Sequence, residues 1–287
     1  MTPAEWTPDT GRRVWFVTGG SRGLGRALAE EVLRHGDRLV VTAREAAAVE
    51  DLERAEPERA RAVPLDVTDR EGVTAAIAEV TRTFGRLDVV VNNAGYGQFG
   101  ALEELSEEEL RAQFEVNVFG LLHVTRAALP VFRRRRSGHV VQLSSLAGVA
   151  GQVGGGAYAG SKFAVEGLSQ SLAEEVRPFG VHVTIVEPGP FRTDFAGDSA
   201  RVAAPIEDYE TAIGSVPDVL RQLDGNQPGD PARAATAIIR AVEADPPPLR
   251  LALGEHAQNE IRRILADRLR ELDAWSELGA ATSFAAP

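Results

Sequence analysis

A short apolar, β-rich run, Arg13 to Thr18, ends abruptly in Gly19-Gly20-Ser21-Arg22-Gly23-Leu24-Gly25, and RALAEEVLRHG then continues with helical period. No other stretch limits the fold as strongly, because strand, glycine turn and helix follow one another without a linker. The glycines permit a tight turn and close backbone approach. The helix start offers free amides and the positive end of its dipole to a pyrophosphate. The spacing, T-G-x-x-x-G-x-G, differs from the G-x-G-x-x-G fingerprint, and glycine turns of this kind also serve as plain packing devices.

The same alternation repeats downstream. Leu39 to Ala43 reads as a second buried strand, ending at Arg44 rather than at an acidic residue. A helix over about 45–55 leads to a third strand, Ala62 to Leu65, which closes on Asp66-Val67. The next helix runs from about Asp69 to Phe84, with Thr68 as its N-cap and Gly85 as its stop. Leu87 to Val91 is the fourth strand and runs into Asn92-Asn93-Ala94-Gly95, small residues suited to a crevice where a ligand lies on backbone. After a mobile-looking YGQFG, Ser106 and Glu109 form a capping box for a long helix through about Leu129. Asn117 sits inside that helix and invites a kink or a function, since its amide competes for backbone bonds. Arg133 to Arg136 reads as a solvated helix exit that complements the dipole. Val140 to Leu143 and Val181 to Val186 are further strands, and Leu249 to Leu253 a seventh. The pattern predicts an α/β chain: a Rossmann-type doubly wound parallel sheet of about seven strands with helices on both faces.

Residues 1–12 form a polar tail, 13–255 a single domain, and 256–287 a C-terminal helical extension in which Ile261, Ile264, Leu265, Leu269 and Leu272 repeat with helical period. Residues 190–229 carry few sustained patterns, and so long a connection is usually functional; Phe191, Phe195, Val202, Ile206, Tyr209 and Ile213 suggest a lid over an apolar substrate.

Gly156 to Pro178 reads as one buried helix, with Tyr158 and Lys162 on the same face one turn apart. Lowering a phenol's pKa by roughly 3 units needs about 4 kcal/mol. One ammonium at about 4 Å with an effective dielectric of about 20 supplies roughly that amount. The pair is a physically sensible acid/base for interconverting a carbonyl and an alcohol, although such pairs more often form ordinary solvated contacts. Gly160, Ala164, Gly167 and Ser171 make one side of this helix small enough for another helix to approach.

Composition excludes several classes. The net charge of −11 argues against nucleic acid or an anionic membrane as the main partner. There are no cysteines and the five histidines lack ligand spacing, so no metal site is expected. No run approaches the roughly 20 apolar residues needed to span a bilayer, and a cytoplasmic protein is expected.

TGGSRGLG, LDV, NNAG, Asn117, Ser145 with Tyr158 thirteen residues on, YAGSK and PGPFRT stand in one order on this pattern. Together they resemble the short-chain dehydrogenase/reductase family in its single-domain branch over roughly residues 13–255, and TAR, NNAGYG and VEPGPFRTDF are most similar to the subgroup of 17β-hydroxysteroid and retinol-type dehydrogenases. The resemblance implies that Tyr158 is the acid/base, that Lys162 lowers its pKa and contacts the nicotinamide ribose, and that Ser145, not Ser144, hydrogen-bonds the substrate oxygen. Asn117 would anchor a water linking Lys162 to solvent. Gly19, Ser21, Arg22, Gly23 and Leu24 would surround pyrophosphate and adenosine, Asp66 and Val67 the adenine, and Asn92, Ala94 and Gly95 the ribose side. Pro188, Gly189 and Thr193 would position the nicotinamide carboxamide.

The expected activity is an NADP(H)-dependent oxidoreductase interconverting a ketone or aldehyde and an alcohol on a mostly apolar small molecule, as a homodimer or homotetramer. NADP(H) is expected over NAD(H) because Ala43 and Arg44 stand where an NAD-selective site ends its strand with a carboxylate, and Arg22 faces the same ribose. Two other classes share parts of the pattern. A non-catalytic NAD(P)-sensing or scaffold protein would be expected to lose part of the Ser/Tyr/Lys set. A sugar-nucleotide epimerase shares Tyr-x-x-x-Lys but not this glycine spacing.

Overall fold

The computed structural model describes residues 12–284. Strands β1 (Val14–Val17), β2 (Arg38–Ala43), β3 (Ala60–Pro64), β4 (Val89–Asn92), β6 (Gly138–Leu143), β7 (Val181–Pro188) and β9 (Arg250–Leu253) form a seven-stranded sheet in the order β3-β2-β1-β4-β6-β7-β9. Every pairing in it is parallel, with Trp15 in register with both Leu39 and Val89. Strand order reverses between β1 and β4, the switch point at which an open parallel sheet leaves a crevice beyond its carboxyl ends.

Period-two alternation sorts the core. Trp15 and Val17 join a cluster with Leu28 and Val32 of α1 (Gly23–Arg34), Leu52 of the short α2 (Glu50–Ala55), and Ile238 and Ile239 of α9 (Pro231–Glu243). Val14 and Phe16 point the other way, onto Ile77 and Val80 of α3 (Arg70–Phe84) and Val124 and Phe132 of α5 (Leu121–Arg135). Both sheet faces are covered, as near-continuous apolar strands require.

Three expectations need correcting. Asp69, not Thr68, caps α3: its carboxylate accepts from the Glu71 and Gly72 amides, while the Thr68 hydroxyl donates to Asp66 Oδ1 at 2.7 Å. The long helix after Ser106 is α4 (Glu107–Phe114), a π-helical turn over Glu115–Gly120 that contains Asn117, and α5, which runs past Pro130 to Arg135. Residues 97–99 form β5 (Gly97–Phe99), paired in parallel with β8 (Ala200–Val202).

The 190–229 segment therefore has structure of its own: β8, α7 (Glu207–Ile213) and α8 (Val216–Leu223). Phe191 is 9% exposed and packed into the domain core, and the Ile213 side chain lies outside what is described. Helix α6 (Gly156–Val176) precedes β7, and α10 (Glu255–Ala274) and α11 (Ser276–Ala280) follow β9. The small-residue side of α6 lets α4 in: a Cβ on Gly160 would lie 3.6 Å from the Phe114 ring, whereas Gly167 is exposed. No helix among the described residues is long and apolar enough to cross a membrane.

Candidate active site

A cleft of about 420 Å³ opens at the carboxyl ends of the strands. Of the residues the sequence singled out, all but two line it. Gly19, Ser21, Arg22, Gly23 and Leu24 come from the β1–α1 turn, Arg44 follows β2, and Asp66 and Val67 follow β3. Ala94 and Gly95 follow β4, Ser145 follows β6, Tyr158 and Lys162 lie on α6, and Pro188, Gly189 and Thr193 end β7.

The turn is built for backbone approach. Gly19 has φ +67° and a Cβ there would stand 2.9 Å from Ala94 Cα; at Gly25 it would stand 2.3 Å from Asn93 Nδ2. Any side chain at these points would separate the turn from β4. Arg22 occupies the N-cap of α1 without a side-chain cap, which leaves the first-turn amides open to an anion. Arg22 lies over the segment after β7, with Nη1 3.7 Å from the Asp198 carboxylate. Arg44 is exposed and, among the described residues, has no ion pair. This end offers two guanidiniums, no carboxylate at the end of β2 and a glycine cradle.

The reacting end is the opposite in character. Tyr158 is 8% exposed and Lys162 7%. Burial pushes the phenol up to about 12, against the Ser145 hydroxyl, whose hydrogen bond acts to lower it. Burial also pulls the ammonium down to about 8, opposed by the charge of Glu166. Desolvation is the dominant influence on Tyr158 and Lys162 is not among the causes that shift it; Lys162 Nζ donates to the Leu143 carbonyl at 2.6 Å. A phenol held protonated is a proton donor, so the chemistry survives while its electrostatic origin changes.

Ser145 and Ser144 separate cleanly. Ser145 caps a one-turn helix over Leu146–Gly148, accepting from the Ala147 amide at 3.1 Å, and presents its hydroxyl to Tyr158. The Ser144 Oγ is buried with no hydrogen-bond partner.

Asn92 and Asn117 stay outside the cleft. The Asn92 amide donates to Thr125 and Gln142 side chains within the sheet layer, and Asn93 takes the lining position, donating to the Thr18 and Gly19 carbonyls at 2.9 Å each. Asn117 braces Tyr96 from both sides, accepting from its amide at 3.2 Å and donating to its carbonyl at 3.0 Å, and donates to Ser161 Oγ at 3.1 Å. No hydrogen bond joins it to Lys162 itself. The sequence pattern picked out Phe195 as part of a cover but not its partners in an aromatic wall: Phe99 and Phe195 stand 6.0 and 5.2 Å from the Tyr158 ring, with Arg201 stacked 4.4 Å over Tyr96. Only the pairing of β5 with β8, which no local pattern announces, brings these residues together.

Known proteins place this arrangement in context. The short chain dehydrogenase profile matches residues 13–202. An oxidoreductase, BOA17, of Botryotinia fuckeliana is 39% identical over 94% of this chain and 99% of its own length. Human retinol dehydrogenase 8 is 32% identical over 94% and 89%. Among solved structures, a short-chain dehydrogenase from Streptomyces avermitilis superposes with a TM-score of 0.89 at 46% identity, covering 96% of this chain and 100% of that one. One from Burkholderia phymatum, in complex with NAD, gives 0.77 at 25% identity over 88% and 92%.

Proposed function

The chain belongs to the short-chain dehydrogenase family, an oxidoreductase by that membership, and from that premise we propose that it is an NADP(H)-dependent carbonyl reductase or alcohol dehydrogenase acting on a mostly apolar small molecule. The observation that carries this reading is the convergence of Ser145, Tyr158 and Lys162 at the buried end of the cleft whose other end holds Arg22 and Arg44.

A bound nicotinamide would supply or accept the hydride. The chain's own residues handle the rest. Tyr158 gives its phenolic proton to the substrate oxygen in reduction and takes it back in oxidation. Ser145 hydrogen-bonds that oxygen and orients it. Lys162, tethered to the Leu143 carbonyl, keeps a positive charge where the phenolate forms. Phe99 and Phe195 exclude water from that point and offer an apolar surface to the substrate.

Arg22 and Arg44 favour a 2′-phosphate through charge-assisted bonds that a hydroxyl cannot match. Asn117 acts through Tyr96 and Ser161, from which an ordered water could continue to Lys162. The segment over 190–229 covers the substrate. A homodimer or homotetramer would use the outer side of α6, where Phe163, Leu168 and neighbouring Phe119 are exposed beside Gly167. We place the protein in the cytoplasm. Turnover of a panel of ketones, aldehydes and alcohols with NADPH and NADH, followed by nicotinamide absorbance, tests the whole reading. Reduction of apolar carbonyls with NADPH is expected; no turnover of any member with either cofactor would overturn it.

A further inference from the structure

Two carboxylates are buried behind Lys162, the nearer of them acting on its charge, and one guanidinium is shared between them. Glu166 lies one helical turn beyond Lys162 on α6 and is 8% exposed; Glu187, near the end of β7, is 2% exposed. Arg250 of β9 serves both, its Nε 3.3 Å from Glu166 Oε2 and 3.5 Å from Glu187 Oε1, while its Nη2 donates to Gln170 at 3.0 Å. Oε1 of Glu187 has no hydrogen bond, and Glu166 Oε1 and the Ser144 hydroxyl make none of good geometry, although Ser144 lies close enough to act on the Glu166 carboxyl. These groups are pressed together: a Cβ on Gly148 would stand 2.4 Å from Ser144 Oγ and 3.1 Å from Glu166 Cγ.

Two buried carboxylates facing one guanidinium are relieved when they share a proton, and the pair then titrates as a unit. We propose that Glu166 and Glu187 form a proton-sharing pair that acts on Lys162, so that the ammonium beside Tyr158 is maintained by a carboxylate charge that itself changes with pH. They are positioning residues, touching neither substrate nor cofactor.

The direction of the carboxyl shifts agrees. Burial, then the charge of Glu166, raises Glu187 to about 7 against the pull of Arg250. Burial raises Glu166 too, against the neighbouring Ser144 hydroxyl and the charges of Arg250 and Lys162. The charged groups facing Glu166 are Lys162 from its own helix and Arg250 from β9; those facing Glu187 are Glu166 and Arg250. Arg268 of α10 is turned onto the Val149 carbonyl and the Phe163 ring. As pH rises through the pair's step, the added negative charge strengthens the ammonium form of Lys162. Removing the Glu166 carboxylate lets burial pull Lys162 lower still.

The inference deepens the proposed function and rests on it for any effect on turnover, but its test needs neither cofactor nor substrate. Lys162 is the only lysine in the chain, the rest of the 31 basic residues being arginine. Protein labelled with carbon-13 at lysine Cε therefore gives one signal that reports this ammonium directly. The wild-type signal should titrate near 8, with a smaller inflection near 7 from the pair. Glu166→Gln should lower the main midpoint by about one unit, and Glu187→Gln should lower it less and abolish the smaller inflection. Midpoints within about 0.2 units of wild type in both variants would overturn the proposal and leave the cluster as a tie between α6, β7 and β9. If Glu166→Gln does not fold, the inflection decides alone: its absence in wild type, or its persistence in Glu187→Gln, overturns the pair. Failure of wild type to turn over any carbonyl would fall on the proposed function instead.

Discussion

The two ends of the cleft are made of different physics. The end proposed for the adenosine carries exposed guanidiniums and glycines that open the backbone; Arg44 has no ion pair among the described residues and Arg22 only a long one, at 3.7 Å. At the reacting end, the groups are buried before any ligand arrives, and burial rather than charge pairing sets their proton affinities. Solvent screens the first and not the second. Substitutions at the reacting end should therefore change turnover, and those at the adenosine end should change affinity.

The largest effect expected is that of Tyr158→Phe, which keeps the ring between Phe99 and Phe195 and removes the proton; turnover should fall by at least about 10² with cofactor binding retained. Lys162→Met blurs the division, because one ammonium is assigned both to the phenolate and to the nicotinamide ribose. It should lower turnover by about the same order and also weaken NADPH, measured by initial rates and by fluorescence titration. Arg44→Ala should weaken NADPH by roughly 10- to 100-fold and leave NADH nearly unchanged, since one charge-assisted phosphate contact is lost. Equal losses for both cofactors would show that this arginine does not read the phosphate. Smallest is Asp198→Ala, which frees Arg22 from a solvent-exposed partner and should tighten NADPH by no more than about fivefold. Protection of residues 190–229 from proteolysis by saturating NADPH and substrate would add the cover to this scheme; unchanged cleavage would remove it.

The alternating strands and helices were legible because each carries its own local signal: apolar runs of the right length, glycine stops, a capping box at Ser106 that the structure forms on both sides. Residues that line the cleft at strand ends were legible for a related reason, since a parallel sheet delivers every such end to one crevice. What the sequence hid depends on contacts between distant segments. Asn92 and Asn93 differ by one position, and only β4 register decides which faces the sheet and which the cleft. Asn117 was noticeable as a poor mid-helix residue, but its π-helical turn and its hold on Tyr96 come from packing against residues 95–97. The Tyr158 environment was misread because a helix-only view counts the lysine one turn away and not the strands that exclude water from both. The Glu166–Glu187–Arg250 cluster joins α6 and β7, which follow one another in the chain, to the distant β9.

The division between the two ends is tested most directly by measuring NADPH affinity and single-turnover reduction of one apolar carbonyl side by side in wild type, Tyr158→Phe and Arg44→Ala. Tyr158→Phe should lose the chemical step and keep wild-type affinity, while Arg44→Ala at saturating NADPH should keep the chemical step and lose affinity. If each variant lost both in proportion, the cleft would be acting as one coupled unit and its two ends would not divide chemistry from affinity.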